Sequence, residues 1–177
     1  MSEEQIDIVN EQNEPTGEVV GRKEAHERKL WHRCANVYFY RVNAVQVEVL
    51  VHRRAANKAS DPNKWDITFG GHLKAGQGVL EAAISEIQEE VGISMLEEDI
   101  KEGEWKIVGS RGHFDKEYFY NFTGNIGDIR LQTEEIQEVK WITLADIESA
   151  LVEHPEEWVQ TSESFKQTAA WLREQVE

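Results

Sequence analysis

Between Gly78 and Gly92 the chain carries four glutamates, Glu81, Glu86, Glu89 and Glu90, and neither a lysine nor an arginine. Carboxylates at this density suit two kinds of chemistry. They can take up protons as general bases, or they can hold a hard divalent cation, which prefers oxygen donors and bridges to phosphates. At about 3.6 residues per turn, Glu86, Glu89 and Glu90 fall on one arc of a helix, and Glu81 points elsewhere. Leu80, Ala83, Ile84, Ile87 and Val91 form the apolar stripe beside that arc. Like charges at this spacing cost an isolated helix about 0.2–0.5 kcal/mol per pair. Glu89 and Glu90 also occupy the last turn, where the dipole disfavours anions. A solvated acidic face and a cation site both fit the helix pattern.

The turn "GGHLKAGQG" immediately precedes this helix. Together they resemble the box of the Nudix hydrolases, G-x5-E-x7-R-E-U-x-E-E-x-G-U with U aliphatic, matched at Gly71, Glu86, Ile87, Glu89, Glu90, Gly92 and Ile93. The resemblance implies a Nudix-like α/β/α sandwich and hydrolysis of a diphosphate linked to another moiety, as in a nucleoside diphosphate derivative. It implies Mg2+ as cofactor, with Mn2+ as substitute, held by Glu86, Glu89, Glu90 and the backbone carbonyl of Gly71. The negative charge gathered on the helix then answers to the positive charge of the ion. Two positions depart from the family. Gln77 replaces a glutamate and Ser85 replaces an arginine, residues that pair in the family and brace the helix. Both charges are lost together, so neither leaves a buried ion behind, and the pair leaves room for a neutral Gln77–Ser85 contact. The departures also motivate a second reading, a Nudix-fold module that binds ligand without hydrolysing it.

"IDIVNEQNEPTGEVV", "AHERKLWHR", "HRRAANK" and "WDITFGGH" extend the resemblance to a Nudix branch related to type I isopentenyl diphosphate isomerase. That enzyme uses a cysteine directly before the Gly-His pair, where this chain has Gly70, and glycine can neither attack nor donate a proton. Isomerase chemistry is therefore the lesser alternative. His32 and His72 match histidines that hold metal in the isomerase, His26 lies one residue closer to His32 than in the family, and Asp115 and Glu117 match its acidic positions. A second metal site there stands against a structural role for His26 and His32, with His72 beside the substrate. The general base is assigned to a box glutamate or to the loop before "VKWITL", Glu135 first and Glu134 second. Arg53 and Arg54 follow an apolar strand and are candidates for gripping substrate phosphates, or are surface cations.

The elements that must position these groups follow from patterning. Residues 5–22 alternate around a turn at Pro15 and Gly17 and read as a hairpin. "CANVYFYRV" and "VQVEVLVHRR" read as strands divided by a turn at Asn43-Ala44, "WDITF" as one short strand, and "VLEAAISEIQEEV" as a helix. "WKIVGSRGHF", "EYFYNFTG" and "IQEVKWITL" read as strands, and "LADIESALVEH" and "SESFKQTAAWLREQV" as helices. The expected class is α/β of the mixed α+β kind, a central mixed sheet with helices packed on it. Its 177 residues suit one domain, with 1–32 as an N-terminal extension. Trp31, Trp65, Phe69 and Tyr118 are read as core before ligand-stacking residues.

A formal charge of −15 argues against nucleic-acid polymers, which call for lysine and arginine, but not against a small phosphorylated ligand met through a metal. Cys34 is the sole cysteine, sits in an apolar run and is read as core. No 18-residue apolar span is present and the start is acidic, so no membrane partner and a cytoplasmic location are expected. Substrate identity and oligomeric state are not legible.

Overall fold

The computed structural model describes residues 3–43, 46–108 and 112–175. Backbone contacts divide the chain into two compact units.

The first unit gathers the described residues of Met1–Val37, Gly70–Gln88 and Ser94–Phe119. It opens with the expected hairpin, β1 (Gln5–Val9) antiparallel to β2 (Pro15–Gly21), with Ile6 opposite Val20, but the turn lies at 10–14, and Pro15 and Gly17, expected in it, belong to β2. The Asn10 side chain closes its turn by accepting the amides of Gln12 and Glu14. A short helix, α1 (Arg22–Arg28), follows and ends at Lys29 in the left-handed region, φ 54°. Helix α1 was not legible, because only Ala25 is buried and no apolar stripe marks it. Ile6, Ile8, Val20 and Ala25 form a separate small core, with Leu30 packed against it.

Strand β3 (His32–Asn43) begins in this unit, paired with β6 (Phe69–His72). Strand β7 (Ile100–Val108) pairs with β8 (His113–Asn121), which in turn lies beside β3. The loop after β6 is tied to the hairpin by two bonds. Ala75 N donates to Gln5 O at 2.8 Å and Gly76 N to Asp7 Oδ2 at 2.8 Å. The extension thus braces the turn that leads into helix α2 (Val79–Val91), an element continuous through both units.

The second unit gathers the described residues of Tyr38–Phe69, Glu89–Ile93 and Tyr120–Glu177. Its centre is β4 (Gln46–Arg54), where Val47, Val49, Leu50 and Val51 are all buried, as befits a strand covered on both faces. Strand β4 pairs antiparallel with β3, with β5 (Trp65–Asp66) and with β9 (Ile136–Thr143). Helix α3 (Leu144–Glu153) buries Leu144, Ile147 and Leu151 at helical spacing under a Thr143 cap. Helix α4 (Ser162–Arg173) starts with a reciprocal cap between Thr161 and Ser164.

His32 N donates to Gly112 O in the first unit and Phe122 N to Tyr40 O in the second. The partners advance in the same direction, so β3 and β8 are parallel and the sheet is mixed, as expected. Two expectations fail locally. "WKIVGSRGHF" is not one strand, since β7 ends at Val108 and β8 begins at His113, with 109–111 outside the described residues. "WDITF" is two strands, because Asp66 Oδ1 accepts both the amide and the hydroxyl of Thr68 and turns the chain between them. The turn expected at Asn43-Ala44 falls partly on 44–45, outside the described residues. Phe69 and Tyr118 are core as expected, whereas Trp31 and Trp65 are half-buried.

Candidate functional site

Helix α2 carries the carboxylates in the expected phase. Its buried positions are Ala82, Ala83, Ile87, Glu90 and Val91, with Leu80 and Ile84 only half-buried, so the inward face is turned slightly from the sequence stripe. The consequence falls on the glutamates. Glu89 is exposed, Glu86 is half-buried, and Glu90 is only 9% exposed. A carboxylate withdrawn that far from water does not belong to a solvated face, since an ionised group is buried only where something favours its charge.

In the first unit, Glu86 lies against the backbone of Gly71, where an added Cβ would come within 2.8 Å of Glu86 Oε2. The glycine leaves the carboxylate the space that a side chain would otherwise take. In the second unit, the end of α2 is closed by Gly92 at φ 70°. Arg130 N donates to Val91 O and Gln132 N to Glu90 O, both at 2.9 Å. These bonds hold the loop that carries Glu134 and Glu135. Glu135 is ion-paired with Lys58, both side chains partly buried, and its carbonyl accepts the Ala55 amide.

The two arginines have protein partners. Arg54 Nη1 donates to Asp66 Oδ2 at 3.2 Å, and its Nε and Nη2 donate to Ser60 O. Arg53 Nε donates to Asn63 O at 3.2 Å, with Glu138 at 3.7 Å. Gln77 turns its side chain into its own loop, where Oε1 accepts the Lys74 amide at 3.1 Å. That bond closes the turn locally.

The first unit also assembles a histidine cluster. Helix α1 brings His26 Nε2 to 2.9 Å from His72 Nε2, and one ligand atom each from His26, His32 and His72 lies within 4.8 Å of the others. His32 Nδ1 donates to Leu30 O at 2.8 Å, which leaves Nε2 with the lone pair. That nitrogen is buried and has no hydrogen-bond partner. Burial holds His32 down to about 4 and His72 down to about 2, and lowers His26 as well. The rings are therefore neutral at pH 7, the form that ligates metals.

His113, which the sequence reading did not single out, also packs against His32 with its ring tilted by 40° and ring centroids 5.4 Å apart. The available signal was period two: His113, Asp115 and Glu117 share one face of β8. Asp115 Oδ1 stands 3.1 Å from His113 Nε2 without hydrogen-bond alignment, and Glu117 is paired with Lys106 at 2.6 Å. Cys34 is buried, and burial raises its thiol well above the ordinary value, so it is no ready nucleophile. Gly70 has φ 144°, and a Cβ there would lie 2.0 Å from Ala35 O. The position has no room for the cysteine of the isomerase.

Among solved structures the fold is similar to DR0079 from Deinococcus radiodurans, with a TM-score of 0.74, 18% identity and coverage of 97% of this chain and 98% of that one. In sequence the chain is 31% identical to an isopentenyl-diphosphate Delta-isomerase of Aliivibrio fischeri, over 86% of this chain and 87% of the relative. It is 29% identical to the Nudix hydrolase YfcD of Escherichia coli, over 97% and 88% respectively. Residues 30–165 match the model of the NUDIX domain. With that match over most of its length, the chain belongs to the Nudix family.

Proposed function

We propose that this protein is a Mg2+-dependent hydrolase of a diphosphate linkage in a nucleoside diphosphate derivative or similar small molecule. The observation that carries the reading is the withdrawal of Glu90 from solvent on the same helix as Glu86 and Glu89. An all-oxygen donor set of this kind fits a hard cation, Mg2+ or Mn2+. When bound, the ion neutralises phosphate oxygens and acidifies a water. Glu86, Glu89 and Glu90 hold it, with the Gly71 carbonyl as a further oxygen, and Glu89 or Glu90 takes the water's proton.

Glu135 serves as the alternative base, with Lys58 fixing its carboxylate. Arg53, Arg54 and His72 are assigned to substrate. For the arginines this requires that contacts with phosphate add to the backbone and carboxylate bonds they already make. The strongly acidic chain favours a small ligand in a cytoplasmic setting over nucleic acid. Among the described residues, no helix is long and apolar enough to cross a membrane.

The test is phosphate release from a panel of nucleoside diphosphate derivatives with Mg2+ or Mn2+. Glu89→Gln and Glu90→Gln should each lower kcat about a hundredfold or more without unfolding the protein. Unchanged rates in both variants would remove the assignment. Saturable ligand binding with no release under any metal would favour the silent module that Gln77 and Ser85 suggest. The neutral His26–His32–His72 cluster supports a second divalent ion, and Gly70 argues against isomerisation.

A further inference from the structure

We propose that His32, Cys34 and His113 form a thiolate-containing site for a borderline-soft divalent ion of the zinc class. The inference rests on the second-metal reading above: His32 offers one lone pair, on Nε2, so its ion takes Cys34 and His113 in place of the full three-histidine set.

Strand geometry brings the three together. His32 and Cys34 are two residues apart on β3 and so share a face. Leu73 N donates to Arg33 O, and with β6 running against β3 this register sets His72 opposite Cys34. His113 arrives from β8, whose parallel pairing with β3 starts at the His32–Gly112 bond. One ligand atom from each of His32, Cys34 and His113 lies within 4.8 Å of the other two. Tetrahedral zinc with bonds of about 2.0–2.1 Å to nitrogen and about 2.3 Å to sulfur separates its donors by about 3.3–3.6 Å. A closure of roughly an ångström, within reach of side-chain rotation, therefore completes the set.

Two further observations point to an ion. His32 is 1% exposed, its Nδ1–H is committed to Leu30 O, and its Nε2 lone pair meets no donor. A backbone carbonyl fixing one ring nitrogen while the other faces a buried cluster is the support metal-ligating histidines usually have. Asp115 Oδ1 is likewise buried without a hydrogen bond and sits 3.1 Å from the His113 ring, where it can orient a ligating imidazole.

The donor set decides the metal. Magnesium rejects sulfur and demands oxygen, whereas two imidazoles and a thiolate suit zinc or cobalt. The glutamates of α2 and this site are thus separated by ligand chemistry. On binding, a metal–sulfur bond forms, the Cys34 Sγ–H proton leaves to solvent, and no electrons are transferred. Water or His72 takes the remaining position.

The 177-residue chain, stripped of metal with a chelator, is titrated with Co2+ alone and followed by absorption. The expected spectrum combines the visible bands of tetrahedral cobalt with a near-ultraviolet sulfur-to-cobalt charge-transfer band. Cys34→Ser should abolish the latter and weaken Co2+ binding about tenfold or more. Excess Mg2+ should not displace the cobalt. Visible bands without the charge-transfer band in the unmodified protein would overturn the role of Cys34 while leaving the three-histidine reading intact. No cobalt uptake at all would overturn both. The unmodified protein decides the matter even if the variant folds poorly, and neither outcome bears on hydrolysis by the α2 glutamates.

Discussion

Gly71 and Glu86 occupy one another's space: a Cβ on Gly71 would stand 2.8 Å from Glu86 Oε2 and 3.0 Å from Cδ. The obstacle is the end of a flexible side chain, so Gly71→Ala can be accommodated by moving the carboxylate. Stability should change by about 1 kcal/mol or less, as judged by urea unfolding. Hydrolysis should fall at least about tenfold, because the displaced carboxylate is a proposed metal ligand. A variant with full activity would show that Glu86 is not needed where it sits.

Gly70 behaves differently although it is the adjacent residue. Its Cβ would meet the Ala35 carbonyl at 2.0 Å, and its φ of 144° is one that side chains avoid. Here the obstacle is backbone and cannot step aside. Gly70→Cys should cost about 2–4 kcal/mol in urea unfolding and should not produce conversion of isopentenyl diphosphate to its dimethylallyl isomer. A stable Gly70→Cys protein that isomerises would contradict both statements.

Arg54 and Arg53 should separate cleanly by stability. The side chain of Arg54 is 18% exposed and that of Asp66 only 6%. Burial pushes the Asp66 carboxyl up, but His52, the Gln160 hydrogen bond and Arg54 outweigh it and hold the group below its ordinary value. Arg54→Ala strands that charge and should cost about 3 kcal/mol or more, whereas Arg53→Ala should cost roughly 0.5 kcal/mol or less. Thermal melts of the two variants provide the comparison.

His52 makes stability depend on pH. Burial lowers it to about 4 from an unfolded value of 6.5, with Asp66 and Glu135 pulling it up and Arg54 and Lys58 pulling it down. Between those values the unfolded chain binds a proton that the native chain refuses. Stability is therefore lost as pH falls from about 6.5 towards 4. Between about pH 7.5 and about pH 5 the share from His52 should be on the order of 2 kcal/mol. His52→Gln should flatten the dependence by that amount in urea titrations at the two pH values, and an unchanged slope would mean that His52 does not titrate there.

What could be read without the fold was whatever depends on local spacing. Helix α2 runs over Val79–Val91, as its periodicity requires, and Glu86, Glu89 and Glu90 share an arc because the helical repeat is fixed by backbone geometry. The hairpin, the valine-rich β4 and the closing helices were legible for the same reason. Helix α1 was not, since its burial rests on Ala25 alone, and the break inside "WDITF" depends on an aspartate whose side chain bends the chain back on itself.

The amino-acid order by itself determined that three carboxylates would face one way from a helix behind a glycine turn. Tertiary structure alone decided what surrounds each ionisable group. It withdrew Glu90 from water, paired Glu135 with Lys58, gave Arg54 to Asp66, and brought His26 from a short helix onto His72, 46 residues away. The reason is physical. Helical phase is set by neighbouring dihedral angles, but the partner and solvation of a charge or lone pair are set by packing between segments far apart in the chain.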